Sequence, residues 1–213
     1  KTMKMLNASQ FSEKIINYWG ADSEAASAIG TADTDWQKEI LRTSVSQDYN
    51  LSVGGTVGFL PYRIAGSYTN NQGIMKNSYM ERVTAGVNLN PKFFNGLLQI
   101  NANVKGYYVR QRDANAIGGA IDADPTRPVH DWSESGTPLY PYFYNGWSTS
   151  TTGGHDFNTQ GTVNPVAEVM DPENIYSMWR SNGNLQIDYA FHFLPDLHAN
   201  LNLGYDVTKG EQN

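Results

Sequence analysis

The sequence predicts an all-β fold: one antiparallel sheet of about six long strands, part of a membrane-spanning β-barrel, behind a short, mostly helical or irregular N-terminal segment. Three observations predict it. From Val45 onward, apolar residues alternate with Asn, Gln, Ser, Thr and Gly in six separate runs. The connections between the runs alternate in length, short then long. Aromatic residues gather at the ends of the runs rather than in their middles.

The N-terminal segment reads differently from the rest. Phe11, Ile15, Ile16 and Trp19 fall at helical spacing, with Ser9 or Ser12 as the expected cap and Gly20 as the expected stop. Residues 21–34 are small, acidic and weakly patterned, and read as loop with a short helical turn. Asp35 is placed to cap a second helix whose face is Trp36, Ile40 and Leu41.

The period then changes to two. Tyr49, Leu51 and Val53 open the first run, and Ile64 and Tyr68 mark the second. Val83, Ala85, Val87 and Leu89 mark the third; Leu98, Ile100, Ala102 and Val104 the fourth. Leu185, Ile187, Tyr189 and Phe191 form the fifth, and Leu197, Ala199, Leu201, Leu203 and Tyr205 the sixth. Short turns are expected near Phe59 to Pro61, at 90–96 and at 192–196. Longer connections are expected at 70–78 and at about 111–181. This is the wiring of an outer-membrane barrel, with short periplasmic turns and long extracellular loops. Phe59, Tyr62, Phe93, Phe94, Phe191 and Phe193 collect at the short-turn ends; Tyr68, Tyr79, Tyr107, Tyr108 and Tyr205 are expected at the other. A soluble β-sandwich also alternates, but its outer face usually carries Lys and Glu.

Composition narrows the function. The chain has 213 residues and a net charge of −6, so it lacks the basic footprint of a general nucleic-acid binder. Charged residues are 17%, below the roughly 25% of ordinary soluble domains. There is no cysteine, which excludes disulfides, thiolate metal sites and Cys nucleophiles. No run of about 18 apolar residues is present, so no transmembrane helix is expected. The chain begins at Lys1 rather than Met and is expected to be a piece of something longer.

Candidate chemistry concentrates in the longest connection. Trp132, Tyr140, Tyr142, Phe143, Tyr144 and Trp147 crowd together beside Asn and Asp. Such rings stack on sugar faces or grip apolar side chains, or else pack the loop on itself. Trp132, Tyr140, Tyr142, Tyr144 and Trp147 are the expected substrate-binding residues. Asp122, Asp124, His130 and Asp131 lack the ordered oxygen spacing of a calcium loop, so no metal is expected. Asp124 before Pro125 reads instead as the end of a short helix. No nucleophile elbow and no phosphate loop occurs, so no catalytic residue and no cofactor are assigned. Arg63, Arg82 and Lys105 fall on the polar face, facing either a barrel lumen or plain solvent.

The run Asp35-Trp36-Gln37-Lys38-Glu39-Ile40-Leu41-Arg42, followed by Asn50-Leu51-Ser52-Val53-Gly54-Gly55, resembles the plug-to-barrel boundary of the SusC/RagA-type TonB-dependent outer-membrane transporters. Tyr62-Arg63-Ile64, Gly66 to Ile74, Ala116 to Ala120, Pro125 to Asp131 and Asn164 to Ala167 continue the resemblance.

The resemblance implies a multi-pass protein of the cell outer membrane, with a 22-stranded barrel around a plug. It implies import of a glycan or peptide delivered by a SusD-like lipoprotein, energised by the TonB complex through an N-terminal part that this chain lacks. It implies transport rather than enzymatic activity. Residues 1–44 are then expected to be the end of the plug and its linker, and residues 45–213 the first barrel strands. The alternative is a surface carbohydrate-binding β-sandwich module. Six strands alone would leave two open edges and an apolar band without lipid, so the isolated chain is expected to self-associate.

Overall fold

The computed structural model describes residues 2–130, 163–170 and 174–212. The chain folds as two units: Lys1–Thr43 with Gly73–Ser78 and Asp113–Glu173, and Ser44–Gln72 with Tyr79–Arg112 and Asn174–Asn213.

The second unit is a sheet. Its strands are β1 (Ser46–Val57), β2 (Leu60–Gln72), β3 (Tyr79–Leu89), β4 (Lys92–Phe93), β5 (Leu98–Arg112), β6 (Ile175–Phe191) and β7 (Leu194–Gln212). The order is β1-β2-β3-β5-β6-β7, antiparallel throughout, with the two-residue β4 pairing on β5. The six long strands are the six predicted from alternation. Each has 11 to 19 residues, enough to cross a bilayer at a tilt. Gly58, at φ +60°, lets β1 and β2 join through a two-residue turn.

Register makes the alternation into two faces. Val53 pairs with Ile64, Ile64 with Val87, Val87 with Val104, Val104 with Gly183 and Gly183 with Tyr205. Partners in an antiparallel ladder share a face, so this row fixes all the others. Ala85, Val87, Ile100, Ala102, Leu201 and Leu203 lie on that same apolar face. The face is uncovered: Leu51 is 74% exposed, Val53 57% and Leu203 54%. A β-sandwich would bury these side chains under a second sheet, and the described residues form only one.

Two aromatic rows flank the aliphatic band. Phe59 and Phe93 sit 4.9 Å apart at the short-turn end, where Tyr189, Phe191 and Phe193 also meet. At the other end Tyr49 stacks on Tyr68, and Tyr108 meets Trp179 at 4.8 Å. Two residues differ from the sequence expectation. Tyr107 pairs with Thr84 and Arg180 and so belongs to the polar face. Tyr205 lies in the middle row, its ring over Gly183, where an added Cβ would stand 2.5 Å from the ring. Glycine opposite an aromatic ring leaves the space it fills. Trp179 takes the girdle position instead.

The first unit holds the helices: α1 (Ala8–Trp19), α2 (Glu24–Ser27), α3 (Trp36–Ile40), α4 (Ile117–Asp122) and α5 (Pro165–Met170). Asn7, not Ser9 or Ser12, caps α1, because its side chain and that of Gln10 form a reciprocal capping box. Asp35 caps α3 as expected. The core gathers Trp36 and Ile40 of α3, Met75, Ala116 to Ala123 around α4, and Val166 and Val169 of α5. Ile40 is fully buried.

Hydrogen bonds hold this core to its flanks. The Trp36 indole donates to the Asp124 carbonyl (2.9 Å), while the Asp124 carboxylate accepts from the backbone and hydroxyl of Thr126, each at 2.7 Å. Asp124 therefore shapes a turn after α4, as its place before Pro125 suggested. Residues 30–34 lie along this turn, with Ala32 N–H on Thr126 O and Thr34 N–H on Pro125 O. A Cβ on Gly30 would stand 2.1 Å from Thr126 O, so the two backbones meet only because this position is glycine. Arg42 donates to the Gly73 and Ser78 carbonyls, closing the 73–78 loop. Asn164, fully buried, donates to Val129 O and caps α5 through Val166 N–H.

Two outcomes are expected. Trp36→Ala should destabilise the helical unit by about 3–5 kcal/mol, and Trp36→Phe by about 1–3 kcal/mol through the orphaned Asp124 carbonyl. Hydrogen exchange at residues 116–123 and 164–169 reads both. Cysteines replacing Val87 and Val104 should cross-link under mild oxidation, whereas cysteines at 87 and 105, on opposite faces, should not.

Candidate functional site

The polar face of the sheet is the candidate site, because the same parity that builds the apolar face assembles every other strand residue opposite it. Arg63 on β2 pairs with Asn88, Arg82 on β3 with Thr69, and Lys105 on β5 with Gly86. All three expected cations thus share one face. Arg63 and Lys105 border an open groove of about 410 Å³, floored by the small residues Ala65 and Gly86. Asn50, Ser52, Ser67, Thr84, Asn88 and Asn103 supply its remaining polar groups. Arg63 donates to the Ser52 hydroxyl at 3.3 Å. Within the described residues of the sheet, no carboxylate stands at ion-pair distance from Arg63, Arg82 or Lys105. A groove of this makeup offers hydrogen bonds and positive charge. It presents no carboxylate pair and no activated nucleophile.

Across β5, β6 and β7 the face becomes a network. Arg180 grips Asp206 through two bonds, Nε to Oδ1 at 2.8 Å and Nη2 to Oδ2, and reaches the Tyr107 hydroxyl at 3.5 Å. The fork matches the planar carboxylate, the arrangement that makes Arg pairs specific. Nearer the short-turn end, Asp188 meets His198 at 2.7 Å and accepts from Asn200 at 3.1 Å. Amide pairs join neighbouring strands at Asn88–Asn103 (2.6 Å) and Asn184–Asn202 (2.7 Å). Sequence reasoning missed Arg180, Asp206, Asp188 and His198 as site residues. Parity alone would have put all four on the polar face; their pairing depends on register.

The expected aromatic contact residues Trp132, Tyr140, Tyr142, Tyr144 and Trp147 lie outside the described residues. In the helical unit a second groove, of about 530 Å³, runs between residues 2–7 on one side and residues 33–38 and 120–125 on the other. Gln37, buried at its wall, bonds the backbone of Met3 in both directions.

No protein-family model matches the chain. Over its whole length it is 36% identical, across 225 aligned residues, to the TonB-dependent receptor SusC of Bacteroides thetaiotaomicron, and it spans 22% of that relative's length. Solved structures of the RagAB peptide importer share its fold. One in the closed-closed state gives a TM-score of 0.61 at 14% identity, covering 94% of this chain and 23% of that one. A structure of the RagAB peptide transporter gives 0.65 at 12% identity, covering 97% and 26%. Among the described residues no helix is long and apolar enough to cross a membrane. The alternating sheet, the uncovered apolar band and the identity along the full chain agree: this chain belongs to the SusC/RagA-type TonB-dependent receptor family.

Proposed function

We propose that the chain supplies early barrel strands of an outer-membrane importer, and that its own contribution is binding and gating with no bond chemistry. The observation that carries this reading is the single sheet whose apolar band lies uncovered between two aromatic rows. Such a band is matched by bilayer hydrocarbon, with rings at headgroup depth. The polar face then lines the lumen, where Arg63, Arg82 and Lys105 meet plug or ligand, and strands outside this chain complete the barrel. The relative named as a TonB-dependent receptor supports coupling to the TonB complex through segments outside this chain. The fold shared with a peptide importer supports a peptide ligand, and the glycan that the sequence resemblance implies stays as the second candidate. A SusD-like lipoprotein is the proposed delivery partner. Trp132, Tyr140, Tyr142, Tyr144 and Trp147 remain the proposed ligand-contact residues of the long loop.

For residues 1–44 the sequence reading is the end of the plug. A specific observation favours a second reading. Trp36 and Ile40 share one core with Met75, α4 and α5. By connectivity, 73–78 joins β2 to β3 and 113–173 joins β5 to β6, both at the sheet end where β1 begins. If those long connections are extracellular, residues 1–44 belong with them through this shared core rather than with a plug.

Val104→Arg, in the middle apolar row, should cost about 2–4 kcal/mol of barrel stability in the membrane, and Asn103→Arg, on the lumen face, far less. Heat-modifiable mobility of outer-membrane protein checks this; equal tolerance of both would remove the barrel reading. The isolated 213-residue chain should self-associate in water, since its apolar band forfeits roughly 25 cal/mol per Å² left wet. A monodisperse monomer with intact strands, measured by light scattering without detergent, would contradict the same reading.

A further inference from the structure

Residues 2–7 lie outside any helix or strand and pass along one wall of the 530 Å³ groove. The Met3 N–H donates to Gln37 Oε1 (2.9 Å), and Gln37 Nε2 donates to the Met3 carbonyl (2.8 Å). At its far end Asn7 forms the α1 capping box with Gln10, and the following Ala8 N–H donates to the Asp33 carboxylate (3.0 Å). Its apolar side chains contribute little burial: Met3 is 57% exposed and Leu6 46%. Gln37, in contrast, is buried within the first turn of α3 and fixed by the core that Trp36 and Ile40 anchor. The receiving side is therefore buried and the received segment exposed.

We propose that Gln37 is a peptide-backbone clip, that residues 2–7 form a displaceable strap occupying it, and that the ligand it serves is an extended peptide with apolar and basic side chains. A primary amide that both donates to a carbonyl and accepts from an N–H of one residue makes the two bonds a neighbouring β-strand would make. It reads backbone, so it is indifferent to sequence. Selectivity comes from the walls. Trp36, Ile121 and Pro125 offer apolar surface, and Asp33 and Asp122 set an acidic rim, while Asp35 is paired with Lys38 at 3.3 Å. The strap is a stand-in of this very class, since Met3, Met5 and Leu6 accompany Lys4. Because strap and ligand compete for one amide, ligand entry frees the N-terminal segment leading into α1, which is how occupancy would be signalled along the chain. The proposal rests on the importer reading only for where the peptide comes from.

The test uses protein purified from outer membranes in detergent and a fluorescent, end-blocked hexapeptide with the sequence of residues 2–7. Replacing residues 2–7 by Gly and Ser of equal length should tighten binding at least tenfold, read by polarisation. Gln37→Glu in that background, which swaps the amide donor for a second acceptor at constant shape, should lose at least tenfold. A hexapeptide with Glu in place of Lys should bind weakly. Hydrogen exchange at residues 3–8 of the unaltered protein should accelerate on peptide addition while α3 stays protected. Equal binding with and without the strap, or equal binding by the Gln37→Glu variant, would overturn the clip. Uptake of labelled peptide by intact cells is scored separately: peptide bound at Gln37 without uptake retains the clip and removes the importer reading, and uptake with no binding at Gln37 does the reverse.

Discussion

The constraint on which the sheet depends is that its two faces differ in polarity along every long strand. Strand parity puts Leu51, Val87, Val104, Ile187 and Leu201 on one side and Asn50, Asn88, Lys105, Gln186 and Asn200 on the other. A one-residue slip in any strand would drive amides and cations into the apolar face and leave the aliphatic chains in the polar one. Register is therefore held by the separation of apolar from polar rows as well as by the ladder of backbone bonds. The cross-strand pairs Asn88–Asn103, Asn184–Asn202 and Arg180–Asp206 reinforce it on the wet side. The aromatic contacts Tyr49–Tyr68 and Tyr108–Trp179 do so on the apolar side.

The helical unit obeys a different constraint. It is assembled from pieces far apart in sequence, so a few buried side chains must fix several backbone segments at once. Trp36 packs in the core and also holds the Asp124 carbonyl; Asn164 caps α5 and holds Val129. Arg42 ties residues 73–78 into a tight loop with one guanidinium group. Apolar burial alone would not select these partners, because small Ala and Val side chains pack with little directional preference. The hydrogen bonds to single buried carbonyls supply the direction, since an unpaired carbonyl there would cost about 1–3 kcal/mol.

Function follows from how the two faces are furnished. The polar face holds paired charges where β5, β6 and β7 meet. Where β2, β3 and β5 meet, its cations have no carboxylate partner among the described residues of the sheet. Paired groups such as Arg180 and Asp206 stiffen a wall, while Arg63 and Lys105 beside an open groove are left to attract a partner. A receptor needs both, a rigid wall and a receptive patch, and no reactive group in either. The Gln37 amide adds a third kind of surface, one that recognises backbone.

The sequence by itself determined the strands, their faces and the alternation of short and long connections. Each follows from a period of two that local residue order carries in full. It placed Arg63, Arg82 and Lys105 together for the same reason. It also indicated α3 through Asp35 and the turn at Asp124, because capping and turn preferences act over three or four residues. The cap of α1 lay within the same local reach, since Asn7 and Gln10 are three residues apart, but the depth of each ring was left to the tertiary structure. It alone moved Tyr205 out of the girdle and Trp179 into it, because position along a strand becomes depth only once register is set. It alone joined Trp36 to α4 and α5, and Gln37 to Met3. Those contacts span about 30 to 130 residues of chain, and no local pattern encodes which distant carbonyl a buried N–H will meet.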